Sequence, residues 1–175
     1  NSTINLIKSL DDYLYIKVYL DDSDLPIDFM HLNNETKLML NEFSSYSNLF
    51  QYDFINPSEN KKNKNAILKQ LEEKGVAPTV IETKKGDQRT QKIIFPGAII
   101  YYKGREHVLN LSPRQSSYIY ENGSSTLAYN DVKIAIEDLE YIFSNGIKKI
   151  KQTEKKRIAF TTGNGELETP YVQDI

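Results

Sequence analysis

The chain opens with an alternation of strand, helix and strand patterns, and this order restricts the kind of sheet that it can form. Residues 13–21 (YLYIKVYLD) are rich in aromatic and β-branched side chains, which predicts a strand. Residues 27–46 repeat apolar side chains at helical spacing, and residues 49–56 (LFQYDFIN) predict a second strand. Because such a strand–helix–strand connection favours a right-handed crossover, we predict that both strands lie parallel in one sheet. The nearly continuous apolar run of the first strand predicts that both of its faces are covered.

The remaining patterns extend this unit into an α/β domain. In chain order they predict a short helix, two strands and a hairpin of two more strands, at residues 66–74, 79–83, 91–95, 98–102 and 107–111. Residues 112–123 contain breakers and many serines, so we expect an exposed, mobile connection there. An apolar stripe then predicts one long helix over residues 131–150.

This order of elements resembles a thioredoxin-like layout, in which a mixed β-sheet carries helices on both faces. The redox chemistry of that layout needs cysteine, and the sequence has none. Such layouts often place a cis proline before an inner strand, and Pro78 and Pro96 are the candidates. We expect residues 1–152 to form this thioredoxin-like domain, and residues 153–175 to form a linker and the first strand of a following domain.

Composition and charge exclude several classes of function. The 175 residues carry a net charge of −2, whereas nucleic-acid binding needs a concentrated basic surface. The absence of cysteine removes thiol nucleophiles, disulfides and cysteine metal sites. The most apolar run, residues 93–102, is shorter than the ~18 residues of a membrane-spanning helix. With no leader sequence visible either, we expect a processed or excised piece of a longer protein.

Two groups of side chains are candidates for a metal site. The first strand is followed by Asp21, Asp22 and Asp24. These residues fit two interpretations, a divalent-cation site and a solvated turn that leads into a helix. We favour the turn, because the glycine and the distal glutamate of a calcium loop are missing. His31 and His107 are the only imidazoles, and we interpret them as ordinary surface or partly buried histidines. We therefore predict no metal site.

Basic runs and a glycine-rich segment are weak candidates for binding anions. The first basic run, Lys61, Lys62 and Lys64, belongs to a short loop. The second, residues 148–157, begins at a helix C-terminus, where lysines are favoured. We interpret both runs as solvated surfaces and not as sites for lipid or nucleic acid. The Gly-Asn-Gly-Glu sequence at residues 163–166 lacks the Lys-Ser/Thr of a phosphate-binding loop. No GxSxG sequence and no distinguished carboxylate pair is present. We predict no catalytic residue and no cofactor.

Tyrosine is the residue type that most favours an interaction surface. The chain has 12 tyrosines, and tyrosine is enriched at protein interfaces because it combines a large contact area with a polar tip. It is also a good strand residue, which explains many of them without any interface. Tyr118 and Tyr120 lie in the expected connection, and we predict a protein interface at these two residues.

Several ordered motifs resemble one family. They are YIKVYLDD at residues 15–22, FINPSEN at 54–60, GVAPT at 75–79, IFPGAIIYYKGRE at 94–106 and IAFTTGNGELE at 158–168. Together they are similar to the extracytoplasmic N-terminal part of proteins of the gliding-motility GldG family. These proteins are accessory components of an ABC transporter. Related sequences tend to read GHGE where this chain has Asn164, and the family supplies no catalytic residue to carry over.

The resemblance implies a location and a set of partners. It implies a protein on the periplasmic side of the inner membrane, with its membrane anchor outside this sequence. It implies work with the permease and ATPase subunits of the transporter in gliding motility. The composition, rich in Asn, Lys, Ile and Tyr, suits an AT-rich genome such as those of gliding Bacteroidetes, and the net charge of −2 predicts no nucleic-acid partner. We therefore favour a non-enzymatic accessory module that acts by protein contact. A module that binds small molecules or glycans for the transporter, and an enzyme with an unrecognised carboxylate pair, remain the alternatives.

Overall fold

Helices and strands alternate in the first part of the chain, and six strands and then two helices follow. The computed structural model describes residues 2–21, 25–59, 63–85, 88–112, 118–121, 124–127 and 129–152. Side chains are described for the same residues except 82–85, 88–90, 118–121, 124–127 and 129–131. The elements are α1 (Ser2–Lys8), β1 (Leu14–Val18), α2 (Ile27–Ser45), β2 (Phe50–Phe54), α3 (Lys64–Glu73), β3 (Thr79–Lys85), β4 (Gln88–Ile94), β5 (Gly97–Tyr102), β6 (Arg105–Asn110), β7 (Tyr118–Glu121), β8 (Ser124–Leu127), α4 (Tyr129–Glu137) and α5 (Leu139–Lys151).

Four strands form a mixed sheet in the order β2-β1-β5-β6. β1 and β2 are parallel, with Leu14 opposite Phe50 and Val18 opposite Phe54, which confirms the predicted parallel pair. β5 runs antiparallel to both β1 and β6. Among the described strands, β1 and β5 are therefore internal, and β2 and β6 form the two edges. The protein is thus a mixed α/β structure built on a mixed β-sheet, as the sequence predicts.

Two further hairpins pair outside this sheet. β3 and β4 are antiparallel, with Thr79 opposite Ile94, which confirms the two strands predicted there. β7 and β8 are also antiparallel, with Tyr118 opposite Leu127. The connection expected over residues 112–123 is therefore wrong at β7, which is a strand. The sequence contains the reason, because tyrosine and isoleucine favour strands and Asn-Gly, which follows β7, is the dipeptide most typical of two-residue hairpin turns.

The turn between β5 and β6 is tight. Lys103 and Gly104 both have positive φ angles, of 49° and 72°. Two successive positive φ angles are typical of the type I′ turn, whose twist matches that of a two-stranded hairpin. No peptide bond of the described residues is cis, so the cis bond expected at Pro78 or Pro96 is wrong. The trans form is the lower in free energy for most bonds that precede proline.

The two faces of the sheet contribute to two separate apolar cores. The larger core joins Ile16 and Ile100 to side chains of α1, α2, α4 and α5. The smaller core, on the opposite face, joins Tyr19 and Ile99 to Leu71 of α3. Helices therefore lie on both faces of the sheet, as predicted.

The second face is covered only in part. Along β1, Leu14, Ile16 and Val18 are fully buried, whereas Tyr15 and Lys17 are half-buried. α3 is 10 residues long and packs further along the sheet, at the end of β1. The predicted coverage of both faces of the first strand is therefore wrong over its first half, because the helix on the second face is too short.

The predicted helix over residues 131–150 is divided in two. α4 ends at Glu137, α5 begins at Leu139, and Asp138 lies between them. α4 packs against α2, whereas α5 packs against β5 and β6, so the break lies where the contact partner changes. The sequence conceals this break because both helices turn their apolar side chains towards the same core.

The sequence patterns do not predict α1, because its 7 residues are too few to show a helical period. Its Ile7 is fully buried. The Thr3 hydroxyl donates to the Glu140 carboxylate at 2.8 Å. At the other end, the Lys151 ammonium donates to the Ser9 carbonyl oxygen at 2.8 Å. The start of α1 thus meets the start of α5, and their ends also meet, so the two helices run side by side in the same direction.

Gly97, in the IFPGAIIYYK motif, lies where two other segments approach the chain closely. A Cβ atom at this position would be 2.6 Å from Val76 Cγ1 and 2.9 Å from the Leu109 carbonyl oxygen. The second contact is with the backbone of β6, which cannot move without disturbing the sheet. We expect Gly97→Ala to lower the free energy of unfolding by roughly 1–3 kcal/mol in denaturant titrations. An unchanged unfolding midpoint would contradict this close approach.

Leu139 begins α5 and is only 3% exposed, which agrees with its predicted place in the core. We expect Leu139→Ala to lower the free energy of unfolding by roughly 2–5 kcal/mol, because the substitution leaves a cavity. Leu38→Ala is the matched control, since Leu38 is 64% exposed on α2. Denaturant melts should show little change for the control. A loss below about 1 kcal/mol at Leu139 would contradict the assignment of this face of α5 to the core.

Candidate functional site

The part of the sheet that α3 leaves uncovered gathers aromatic and charged side chains. Strand register places Tyr15 opposite Tyr101, and Tyr101 opposite Glu106. Lys74, the residue that follows α3, reaches over the same surface to the Tyr101 ring. We call this surface the tyrosine–lysine face, and it consists of Tyr15, Lys17, Asp53, Lys74, Tyr101 and Glu106.

Lys17 lies close to both tyrosine rings of this face. Its ammonium nitrogen is 5.6 Å from the centroid of the Tyr15 ring and 5.5 Å from that of the Tyr101 ring. The two ring centroids are 6.4 Å apart, with an angle of 38° between the ring planes. A cation at such a distance is attracted by the electron-rich face of an aromatic ring. Lys17 and the two rings therefore form one continuous surface.

Tyr15 and Asp53 occupy the side of the face near the β2 edge. The Tyr15 hydroxyl donates a hydrogen bond to the Asp53 carboxylate. This bond, with a smaller contribution from burial, raises the pKa of Tyr15 to about 12. The hydrogen bond favours the phenol over the phenolate, so Tyr15 stays protonated well above neutral pH.

Lys74 and Glu106 occupy the opposite side, near the β6 edge. The Lys74 ammonium donates to both oxygens of the Glu106 carboxylate, at 2.9 and 2.7 Å. This bond raises the pKa of Lys74 above its ordinary value, so the ammonium remains charged. Burial raises the pKa of Tyr19, whose hydroxyl lies next to Tyr101 where α3 begins to cover the sheet.

These shifts all favour the protonated forms of the phenols and of the lysine. A tyrosine or lysine that acts as a base or nucleophile needs the opposite shift, towards a lower pKa. The tyrosine–lysine face offers two ring planes, an ammonium group between them and a carboxylate on either side. This arrangement is suited to binding through aromatic and charged contacts.

The acidic turn and the histidines do not form a common site in the described part of the chain. Asp21 forms an ion pair with Lys37 at 2.9 Å, whereas Asp22 and Asp24 lie outside the described residues. His31 is exposed on α2, and His107 is half-buried on β6. Burial, and then the charge of Lys149, lowers the pKa of His107. The described residues contain no group of three side chains suited to a metal ion.

The basic runs contribute to the fold in the part of the chain that the structure describes. Lys64 begins α3, whereas Lys61 and Lys62 lie outside the described residues. Lys151 binds the end of α1 through the Ser9 carbonyl and hydroxyl oxygens. The Gly-Asn-Gly-Glu segment at residues 163–166 also lies outside the described residues.

Tyr118 and Tyr120, the predicted interface residues, belong to β7. Their backbone pairs with Leu127 and Ser125 of β8, and β8 lies against β3. Their side chains are outside the described set. The structure therefore fixes the hairpin that presents these residues, and the predicted interface remains a prediction.

Two open grooves are also present. One, of about 530 Å³, lies between α1 and α5, and its mainly apolar lining includes Leu6 and the exposed ring of Tyr141 together with Asn5 and Asn145. The other, of about 620 Å³, lies beside the β2 edge and includes Leu38, Lys37, Tyr52 and Phe54 in its lining. Both open widely to solvent, unlike a pocket that encloses a small ligand.

Sequence reasoning missed the tyrosine–lysine face as a site. The signal in the sequence is the alternation of Tyr15 and Lys17 with the aliphatic residues of β1. Such an alternation is typical of a strand with one buried and one accessible face. The pairing with Tyr101 and Glu106 comes from strand register, which the sequence does not reveal.

We expect Tyr15 to titrate as an unusually weak acid. Its folded pKa of about 12 exceeds the ordinary value of 10.0, so the hydrogen bond to Asp53 stabilises the fold below pH ~10 and this stabilisation is lost as pH rises towards 12. The difference in Tm between wild type and Tyr15→Phe should be constant up to pH ~9 and shrink above pH ~10. Tyr141→Phe, at a ring that is 58% exposed, is the control and should leave Tm at neutral pH unchanged. A difference for Tyr15→Phe that persists at pH ~12 would contradict the assignment.

Comparison with known proteins gives a family and no further relative. Within the described residues, no helix combines the length and the apolar character needed to cross a membrane. No curated protein and no solved structure matches the chain. A family model described as a domain of unknown function (DUF7088) matches residues 1–101, from α1 into β5. Because this match covers more than half of the 175 residues, the chain belongs to the DUF7088 family.

Proposed function

We propose that this protein is an extracytoplasmic accessory module of an inner-membrane ABC transporter linked to gliding motility, and that it acts by protein–protein contact. The observation that carries the proposal is the ordered set of motifs that resemble the GldG family, from YIKVYLDD to IAFTTGNGELE. Several motifs in one order are more specific than any one of them. The proposed partners are the permease and ATPase subunits of the transporter. The proposed location is the periplasmic side of the inner membrane, with the anchor outside this sequence.

The positions of the motifs support the resemblance. YIKVYLDD includes most of β1, FINPSEN begins at the last residue of β2, and GVAPT joins α3 to β3. IFPGAIIYYKGRE runs from the end of β4 through β5 into β6. In their described residues, these four motifs thus form strands or the connections between strands and helices, whereas residues 158–168 lie outside the described part of the chain.

A thioredoxin-like layout is the finer description of the fold that we propose. β1, α2 and β2 form a parallel strand–helix–strand unit, and β5, β6 and α5 supply an antiparallel hairpin and a later helix. The strand order β2-β1-β5-β6 joins the two units through β1 and β5. Such a domain would serve as a rigid support without redox chemistry, because the sequence contains no cysteine.

A contact role agrees with the chemistry of the described surface. Tyr15 and Lys74 both hold their protons more tightly than usual, which opposes general-base or nucleophilic action by either. Partly accessible tyrosine rings beside charged side chains, as on the tyrosine–lysine face, are typical of surfaces that bind proteins. The hairpin of β7 and β8, with Tyr118 and Tyr120, remains a proposed contact surface, since loops and hairpins on a rigid scaffold often carry recognition.

We expect replacement of Tyr118 and Tyr120 by alanine to weaken assembly with the transporter. The full-length protein, expressed with the permease and ATPase subunits and purified through a tag, should retain roughly tenfold less permease when both residues are changed. Tyr13→Ala with Tyr141→Ala is the matched control, because these two tyrosines are 61% and 58% exposed at other sites. Retention of the permease at the wild-type level by the Tyr118/Tyr120 variant would refute this contact surface. Absence of permease from the wild-type preparation would refute the proposed function.

The groove between α1 and α5 favours a second function, the binding of a small molecule or glycan for the transporter. Its lining is mainly apolar and includes the exposed Tyr141 ring, with the amides of Asn5 and Asn145 beside it, and an open surface of this kind can contact the faces and hydroxyls of a sugar without enclosing it. A soluble oligosaccharide that raises Tm of the wild type but not of Tyr141→Ala would support this function over the first.

A further inference from the structure

The outer edge of β2 presents backbone groups to solvent. The bond from the Ile55 N–H to the Val18 carbonyl oxygen, at 2.8 Å, shows that the backbone of Ile55 faces β1. Because backbone groups alternate in direction along a strand, those of Tyr52 and Phe54 point the other way, to the outer edge. No described strand pairs with this edge. The edge is therefore a template on which a further strand can form.

The two edges of the sheet differ in their charge. Charged side chains on an edge strand discourage pairing with another chain. β6, at one edge, carries Arg105 and Glu106 next to each other. β2, at the other edge, has the sequence FQYDF, in which Asp53 is the one charged residue and accepts the hydrogen bond of Tyr15. Of the two edges, β2 is thus the one suited to pairing.

An apolar groove runs beside the same edge. The groove, of about 620 Å³, lies between α2 and β2, and its lining includes Leu38, Tyr52 and Phe54. Leu38 is 64% exposed. Lys37, the one charged residue among those that line the groove, forms an ion pair with Asp21 at 2.9 Å. The groove therefore offers apolar contact, with its charge already compensated, and suits a surface of the same apolar kind.

We propose that the β2 edge is a dimer interface, at which β2 of a second copy of this chain pairs antiparallel with it. A two-fold axis perpendicular to the sheet relates the copies, so each contact occurs twice and α2 of both copies lies on the same side. Each Leu38 then lies near the axis and helps to cover the groove of the other copy. This inference concerns the chain alone and is independent of the transporter.

Charge selects the register of this pairing. Residues that are opposite each other share a face of the sheet, so a two-fold pairing over most of β2 is centred on Gln51, Tyr52 or Asp53. A centre at Asp53 places the two Asp53 carboxylates directly opposite each other, which is destabilising. A centre at Tyr52 places each Asp53 carboxylate opposite the Gln51 amide of the other copy, which can donate a hydrogen bond to it.

Backbone hydrogen bonds select the same register. The Phe50 N–H already donates to the Ser47 carbonyl oxygen at 3.1 Å, so it does not serve a second strand. With the centre at Tyr52, the outward N–H groups of Tyr52 and Phe54 donate to the Tyr52 and Phe50 carbonyl oxygens of the other copy. With the centre at Gln51, Phe54 lies opposite the turn that precedes β2, and its N–H loses this partner.

The first test is the association of the purified 175-residue chain, measured by sedimentation equilibrium from micromolar to millimolar concentration. The variants are Gln51→Asp and Gln51→Lys, at a side chain that is exposed on β2. The same two changes at Gln70, which is exposed on α3, are the matched controls. Thermal melts of each variant establish that the fold is kept.

We expect the wild type to dimerise and Gln51→Asp to weaken the dimer roughly tenfold, because it twice places a carboxylate opposite Asp53. Gln51→Lys should strengthen the dimer roughly threefold at low salt, and this gain should disappear at high salt. Both Gln70 variants should associate as the wild type does.

A second test uses the absence of cysteine from the sequence, because one introduced thiol is then unique. With the centre at Tyr52, the two Tyr52 residues form a hydrogen-bonded pair with Cα atoms about 5.5 Å apart, a distance that a disulfide spans. Tyr52→Cys should therefore cross-link in mild oxidant roughly tenfold faster than Tyr141→Cys, whose side chain is 58% exposed at another site.

A wild type that stays monomeric up to millimolar concentration would overturn the inference and leave the β2 edge to a strand of a different protein. A dimer that ignores both Gln51 changes, with Tyr52→Cys cross-linking no faster than Tyr141→Cys, would overturn it as well. Neither result bears on the contact with the transporter, since the permease and ATPase subunits are absent from both tests.

Discussion

The pairing of β1 with both β2 and β5 is the interaction on which the rest of the structure depends. Hydrogen bonds on both edges of this strand fix its register, so successive side chains are committed to opposite faces of the sheet. Leu14, Ile16 and Val18 thereby enter the larger core, while Tyr15 and Lys17 reach the tyrosine–lysine face. A slip of one residue would exchange the two sets and place a lysine in the core, so core packing and surface chemistry are determined together.

The sequence predicts what depends on local signals and misses what depends on distant ones. The parallel pair of β1 and β2 and the turn at Lys103 and Gly104 follow from periodicity and turn residues within short stretches. The tyrosine–lysine face depends instead on Tyr101 and Glu106 being brought to Tyr15 from far along the chain. The length of α3, which leaves this face open, and the break at Asp138 are likewise set by which surfaces the helices pack against.

Tyrosine serves different purposes on the two faces of the sheet. Tyr102 is buried in the larger core, and its hydroxyl donates to the carboxylate of Asp11. The hydrogen bond from Lys103, and then that from Tyr102, lowers the pKa of Asp11 to about 2, so this carboxylate stays charged and joins the segment after α1 to the β5–β6 turn. On the other face, Tyr15 uses the same kind of hydrogen bond to Asp53 to hold a ring at the surface. One contact type is thus used both in the core and at the surface of the sheet.

The parallel arrangement of α1 and α5 has a mechanical consequence. Thr3 is bonded to Glu140 near the start of both helices, and Ser9 is bonded to Lys151 near their ends. Tension that pulled the beginning of α1 and the end of α5 apart would slide the helices along each other. It would load both contacts and the apolar packing between them at the same moment, instead of breaking them one after another. Such a shear geometry resists force better than one that peels open, which is a useful property in any machinery that moves against load.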